Sequence, residues 1–104
     1  MAIEVSLVLP CLNEEETIEA CIRKAKNAFA ADKVEGEVVV VDNGSTDKSV
    51  EIAEKAGARV LHEPVKGYGS ALRRGIDEAY GKYIVMGDSD DTYDYGDIPR
   101  FLKL

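Results

Sequence analysis

The chain has 104 residues, 45% of them apolar, and 13 Lys and Arg stand against 20 Asp and Glu for a net charge of −7. That length is one domain, and the apolar share is that of a globular chain rather than a disordered one. The negative field excludes nucleic acid and anionic membranes as partners held by charge alone, and a phosphorylated ligand would need a cation or local Lys and Arg to offset it.

Ile3 to Leu9 is a β-rich run that Pro10 is expected to end. From Asn13 onward, Ile18, Cys21, Ile22, Ala25, Ala28 and Phe29 recur at helical spacing. Asn13 followed by Glu16 reads as an N-cap with its capping-box partner, and Gly36 falls in the turn after this helix. Glu37 to Val41 (EVVVV) is a continuous apolar strand of the kind buried on both faces of a parallel sheet. Asp42-Asn43-Gly44-Ser45 is a turn rich in cap residues. Thr46 to Ala56 reads as a helix with Val50, Ala53 and Ile52 inward, stopped by Gly57. Ala58 to His62 is a short third strand broken by Pro64. A loop through Lys66 and Gly67 leads to a third helix, Ser70 to Tyr80, with Leu72, Ile76, Ala79 and Tyr80 inward. Lys82 to Met86 is the fourth strand, and Ile98 to Leu104 starts another helix.

Strands alternating with helices predict an α/β fold, a Rossmann-like three-layer sandwich built from βαβ units around a mostly parallel sheet. Ligands of such sheets bind outside the carboxyl ends of the strands, at a switch point in strand order. The segments there are Pro10–Glu14, Asp42–Ser45, His62–Gly69 and Asp88–Asp91, so the polar loops gather on one edge. Cys11 and Cys21, ten apart, fit neither a disulfide framework nor a metal knuckle and read as reduced thiols of an intracellular protein. No secretory h-region opens the chain, and no apolar run approaches a membrane span.

Five aspartates crowd residues 88 to 97. Asp88 and Asp90, at the end of a buried strand, offer hard carboxylate oxygens that suit Mg²⁺ or Mn²⁺. The plainer alternative is an acidic, solvated turn capping the next helix, which is the reading for Asp91, Asp94 and Asp97. A calcium loop fails on spacing, since counting from Asp88 puts Tyr93 where glycine is needed and Pro99 where glutamate is needed. Asp42 ends a buried strand and either accepts from a base N–H or ribose hydroxyl, or only caps its own turn. Lys66-Gly67-Tyr68-Gly69 lacks the third glycine and the first-strand position of a dinucleotide fingerprint. Lys66, Arg73 and Arg74 are candidates to approach a diphosphate or else solvated cations, and His62 reads as a strand-end residue.

Together, VSLVLPCLNEEETI, EVVVVDNGSTDKS, EPVKGYGSALRRGI and GKYIVMGDSDD resemble, in order and spacing, the family 2 glycosyltransferases with the GT-A fold. GYGSALRRG and GDSDDTYD look most like the dolichyl- or polyprenyl-phosphate sugar transferases. The resemblance implies a single nucleotide-sugar-binding domain over residues 1–104, the N-terminal half of a GT-A fold. It implies that Pro10, Leu12, Asn13 and Glu14 line the nucleoside and that Asp42 contacts the base. By the same likeness Asp88-Ser89-Asp90 binds donor diphosphate, with Asp88 and Asp90 holding Mg²⁺ or Mn²⁺. The implied partners are a nucleotide-diphosphate sugar and a polyprenyl or dolichyl phosphate, and the implied location is cytoplasmic, with the full-length protein at the cytoplasmic face of a membrane. Asn43 stands where a second aspartate is common, and Thr92 where some relatives place a glutamine near the metal. The acceptor half and any general base are expected beyond Leu104.

Two rival readings remain. Asp88-Ser89-Asp90-Asp91-Thr92 also fits the D-x-D-x-T of haloacid-dehalogenase-like phosphotransferases, with Asp88 as nucleophile; those enzymes usually carry it on their first strand. The other rival is a non-catalytic nucleotide-binding fragment, self-associating as a homodimer through an exposed sheet edge.

Overall fold

The computed structural model describes residues 2–87. The pair Asp88 and Asp90, with Ser89, the later aspartates and the helix expected from Ile98, lies outside the described residues. Four strands, β1 (Val5–Cys11), β2 (Gly36–Asp42), β3 (Arg59–His62) and β4 (Tyr83–Met86), alternate with three helices, α1 (Ile18–Ala31), α2 (Ser49–Lys55) and α3 (Tyr68–Glu78).

All pairings are parallel, in the order β3-β2-β1-β4. The chain steps outward from β1 to β3, then crosses back to lay β4 on the other side of β1. The switch point therefore lies between β1 and β4. Side chains alternate along the strands. Leu7, Leu9, Val38 and Val40 face the layer that holds Ile18, Cys21, Ile22 and Phe29 of α1 and Ala53 of α2. Val8, Val39 and Val41 face Ala71 and Leu72 of α3. The result is the expected three-layer sandwich. The run Val38–Val41 is buried throughout because both faces are covered. Ile18 and Ile22 are fully buried, each contributing about 2 kcal/mol by area.

Several boundaries differ from expectation, for physical reasons. Pro10 does not end β1; it pairs with Val41 inside the strand. It lies beyond the last β1–β4 pair, Val8 with Met86, where a missing N–H breaks no ladder bond. Gly36 is the first residue of β2 rather than a turn residue, and a Cβ there would come within 2.5 Å of the Phe29 ring.

Asn13 is not the N-cap of α1. The helix starts at Ile18, because the Glu14 carbonyl oxygen accepts from both Thr17 N and Ile18 N and closes a turn first. α2 is shorter than Thr46–Ala56, since the backbone N–H groups of Thr46 and Lys48 are spent on the facing loop. Gly57 stops α2 as expected, with φ 97°.

In α3 the inward residues are Ala71 and Gly75, with Leu72 half-buried; Ile76 and Tyr80 are exposed. The small residues let the helix lie close to the sheet. A Cβ on Gly75 would sit 2.3 Å from Val8 Cγ1 and 3.0 Å from Val41 Cγ2.

Candidate functional site

The carboxyl ends of β1 and β2 lie side by side, with Cys11 in register with Asp42. Asp42 is 5% exposed. Its Oδ2 accepts from Gly44 N at 3.2 Å and Ser45 N at 3.1 Å, which is the turn-capping role. Its Oδ1 has no hydrogen-bond partner among the described residues. The two sequence readings of Asp42 thus divide between its oxygens. One holds the turn; the other is a buried acceptor left without a donor, a costly arrangement that a ligand N–H or O–H would relieve.

Asp42 borders a concavity of about 300 Å³ that is also lined by Gly44, His62, Glu63 and Lys66. His62 ends β3 in register with Asp42, and its Nδ1 is 3.9 Å from Asp42 Oδ2. Lys66 crosses above Gly44, and its Nζ donates to the Asn43 carbonyl oxygen at 3.3 Å. Position 44 favours glycine for its backbone, and a side chain there would displace the Lys66 ammonium. Its φ is 105°, and a Cβ would meet Lys66 Nζ at 2.7 Å.

Asn43 is buried, and it ties β2 to the β3–α3 loop. Nδ2 donates to the carbonyl oxygens of Glu63 at 2.7 Å and Val65 at 3.0 Å, and Oδ1 accepts from Gly67 N at 2.9 Å. An aspartate has no donors for these two carbonyls, so the departure from the family pattern has a structural use here.

Of the expected nucleoside-lining residues, Pro10 is half-buried in β1 and Leu12 stands exposed just past its end. Asn13, with φ 55°, spends its side chain on the neighbouring loop, Oδ1 accepting from Thr46 N at 2.8 Å, while Asn13 N donates to Ser45 Oγ at 2.9 Å. Glu14 lies beside it, with its carbonyl at the start of α1.

Arg74 is not available to a diphosphate, because Glu63 at 3.0 Å and Glu78 at 2.8 Å hold it and raise its already high pKa. These pairs also fill the wall of a larger groove of about 600 Å³ along α3. Its Glu63, Arg74 and Glu78 are spent on one another, and among the described residues no orphaned buried polar side-chain atom belongs to its lining, so it is the weaker candidate despite its size.

Cys11 and Cys21 are free and buried. Burial, with the Asp42 charge adding, pushes the Cys11 thiol up, so it stays protonated and inert.

Sequence reasoning passed over Asp47 and Ser49, which bond each other and, across more than thirty residues of chain, the backbone of Glu14 and Glu15. Among the described residues no group of three or more His, Cys, Asp or Glu forms a metal site. β4 runs to Met86, and Gly87 N donates to Val8 O at 3.0 Å. Asp88 therefore follows directly in sequence on a residue fixed beside β1 at the switch point.

The family model described as glycosyl transferase family 2 matches residues 6–104. The chain belongs to glycosyl transferase family 2. That match includes Asp88 and Asp90 and removes the ground for the phosphotransferase reading. A low-salt glycan biosynthesis hexosyltransferase of Haloferax volcanii is 44% identical over 100 residues, which is 96% of this chain and 24% of that protein. A dolichyl-phosphate hexose transferase of the same organism is 35% identical, over 97% of this chain and 42% of that protein. Among solved structures, glucosyl-3-phosphoglycerate synthase from Mycobacterium tuberculosis in complex with Mn²⁺, uridine diphosphate and glucosyl-3-phosphoglycerate superposes with TM-score 0.72 and 36% identity. That match covers 84% of this chain and 33% of that one. The described fold is thus shared with GT-A glycosyltransferases, and the chain spans a quarter to two fifths of these two curated relatives.

Proposed function

We propose that this family 2 chain binds a uridine-diphosphate sugar and, within a complete transferase, delivers the sugar to a phosphate-bearing acceptor. The observation that carries the reading is the buried, unpartnered Oδ1 of Asp42 at the carboxyl edge of the sheet. An ionised carboxylate only accepts, so it calls for a donor on the ligand, which the ring N–H of uracil supplies. The solved neighbours with uridine diphosphate support uracil.

Leu12 offers an exposed apolar surface beside the base, and Lys66 supplies a cation at the site of a chain with net charge −7. Asp88 and Asp90 would hold the divalent cation. Their donor set is hard oxygen, as Mg²⁺ and Mn²⁺ require, and neighbours hold Mn²⁺ or Mg²⁺ together with uridine diphosphate. When bound, the ion stabilises charge on the leaving diphosphate. A phosphate acceptor is already anionic at neutral pH and needs no protein base. The dolichyl-phosphate hexose transferase relative supports dolichyl or polyprenyl phosphate as that acceptor.

Calorimetry of the chain with uridine, guanosine and cytidine diphosphates, with and without Mn²⁺, tests this. Uridine diphosphate should bind tightest, only with Mn²⁺ at full strength, and more weakly to Asp88→Ala and Asp90→Ala. Metal-independent binding unchanged in both variants would remove the metal from the account.

A further inference from the structure

Three consecutive backbone N–H groups of the β1–α1 loop are each held by a side chain from the β2–α2 loop or the first residue of α2. Asn13 N donates to Ser45 Oγ, Glu14 N to Ser49 Oγ at 2.8 Å, and Glu15 N to Asp47 Oδ2 at 3.2 Å. The exchange is reciprocal, since Thr46 N donates to Asn13 Oδ1 and Lys48 N to Glu15 Oε1 at 2.9 Å. We propose that Asp47 and Ser49 are positioning residues for the nucleotide, fixing the backbone of the loop that lines the nucleoside without touching the ligand themselves. This rests on the nucleotide-binding reading above.

The chemistry of the pair is directional. Asp47 Oδ1 accepts from Ser49 Oγ at 2.6 Å and from Ser49 N at 2.9 Å. An ionised carboxylate has no proton to give, so the Ser49 hydroxyl proton must point to Asp47. That leaves a hydroxyl lone pair facing Glu14 N. Ser49 is fully buried, and this geometry satisfies it. Burial works to raise the Asp47 carboxyl, but the hydrogen bonds from Ser49 and Glu15 outweigh it and hold it below the ordinary range.

The same loop also reaches the base-binding carboxylate. Ser45 accepts from Asn13 N with its hydroxyl and donates its own N–H to Asp42 Oδ2. A shift of this loop therefore moves Leu12 and Asp42 relative to each other. The fold does not need the clasp in the same way, because β1 and β2 are already paired along their whole length, Val5 to Cys11. A further carboxylate at the edge of a diphosphate site repels the ligand; its value there is geometric.

The test uses amide hydrogen exchange without ligand and calorimetry with uridine diphosphate and Mn²⁺. Asp47→Asn can keep its carbonyl towards Ser49 but turns an NH₂ towards Glu15 N, so exchange should speed up at Glu15. Ser49→Ala should speed it up at Glu14. Both should leave the Val39–Val41 amides protected and raise Kd for uridine diphosphate about tenfold, a change of about 1.4 kcal/mol. Glu37→Gln, at the opposite end of the sheet, should lower Tm and leave Kd alone. Unchanged exchange at Glu14 and Glu15, or a wild-type Kd in both variants, overturns the proposal. A wild-type chain that takes up no nucleotide overturns the functional reading and the ligand half of this one, while the exchange data still decide whether the clasp holds.

Discussion

The side-chain amide of Asn43 donates to the backbone carbonyl oxygen of Glu63 at 2.7 Å, joining the end of β2 to the loop that carries Lys66. Asn43→Asp turns both of its donors into acceptors that face the carbonyls of Glu63 and Val65. The expected cost is about 1–2 kcal/mol, a fall in Tm of several degrees for a domain of this size. Thermal unfolding measures it, with faster proteolysis near Pro64–Gly67 as the local sign.

Gly75→Ala pits helix propensity against packing. Alanine gains about 1 kcal/mol in a helix over glycine. A Cβ 2.3 Å from Val8 Cγ1, however, demands that α3 lift off the sheet, which costs about 1–3 kcal/mol. Because Val41 Cγ2 closes the other side at 3.0 Å, packing is expected to win. Urea unfolding should give a lower midpoint, and an unchanged or raised midpoint would mean that α3 sits further from β1.

At the amino end of the sheet Glu37 gathers Arg59, Ser6 and the Tyr80 backbone N–H. Burial raises its carboxyl, but the Arg59 and Ser6 hydrogen bonds prevail and hold it below the ordinary glutamate range. A depressed carboxylate stabilises the fold fully above its unfolded value, ~4.3, and loses that contribution as pH falls through the folded value. Wild-type stability should therefore drop below about pH 4.3. Glu37→Gln should cost about 2 kcal/mol at pH 7 and flatten that acid limb. Unfolding curves from pH 7 to pH 2.5 decide it, and parallel acid limbs would show that Glu37 is not the group responsible.

The layers were readable in the sequence because they rest on local signals. Val38–Val41 announces a strand covered on both faces, and Ile18, Cys21, Ile22, Ala25 and Phe29 mark one stripe of α1; all are buried. The inner face of α3 was misread because hydropathy favours Ile76 and Tyr80, whereas close packing on Val8 selects Ala71 and Gly75. Asp42 was legible as a strand-end carboxylate, but its split between a turn-holding and an unpartnered oxygen is a property of the folded turn. Asn13 looked like a helix cap because Asn followed by Glu is a local pattern. Its partners, Ser45 and Thr46, lie 32 and 33 positions on, beyond the reach of any periodicity. For the same reason Asp47 and Ser49 carried no signal.

Asp42→Asn tests the central claim most directly. The asparagine oxygen can replace Oδ2 towards Gly44 N and Ser45 N, and its NH₂ then stands where the unpartnered Oδ1 was. A donor there opposes a base N–H, while the fold gives up no hydrogen bond, since Oδ1 has no partner among the described residues. Calorimetry with uridine diphosphate and Mn²⁺, alongside thermal unfolding of the same samples, should show Kd raised at least about tenfold and Tm unchanged or higher. Wild-type affinity in Asp42→Asn would contradict the assignment of this carboxylate to the base.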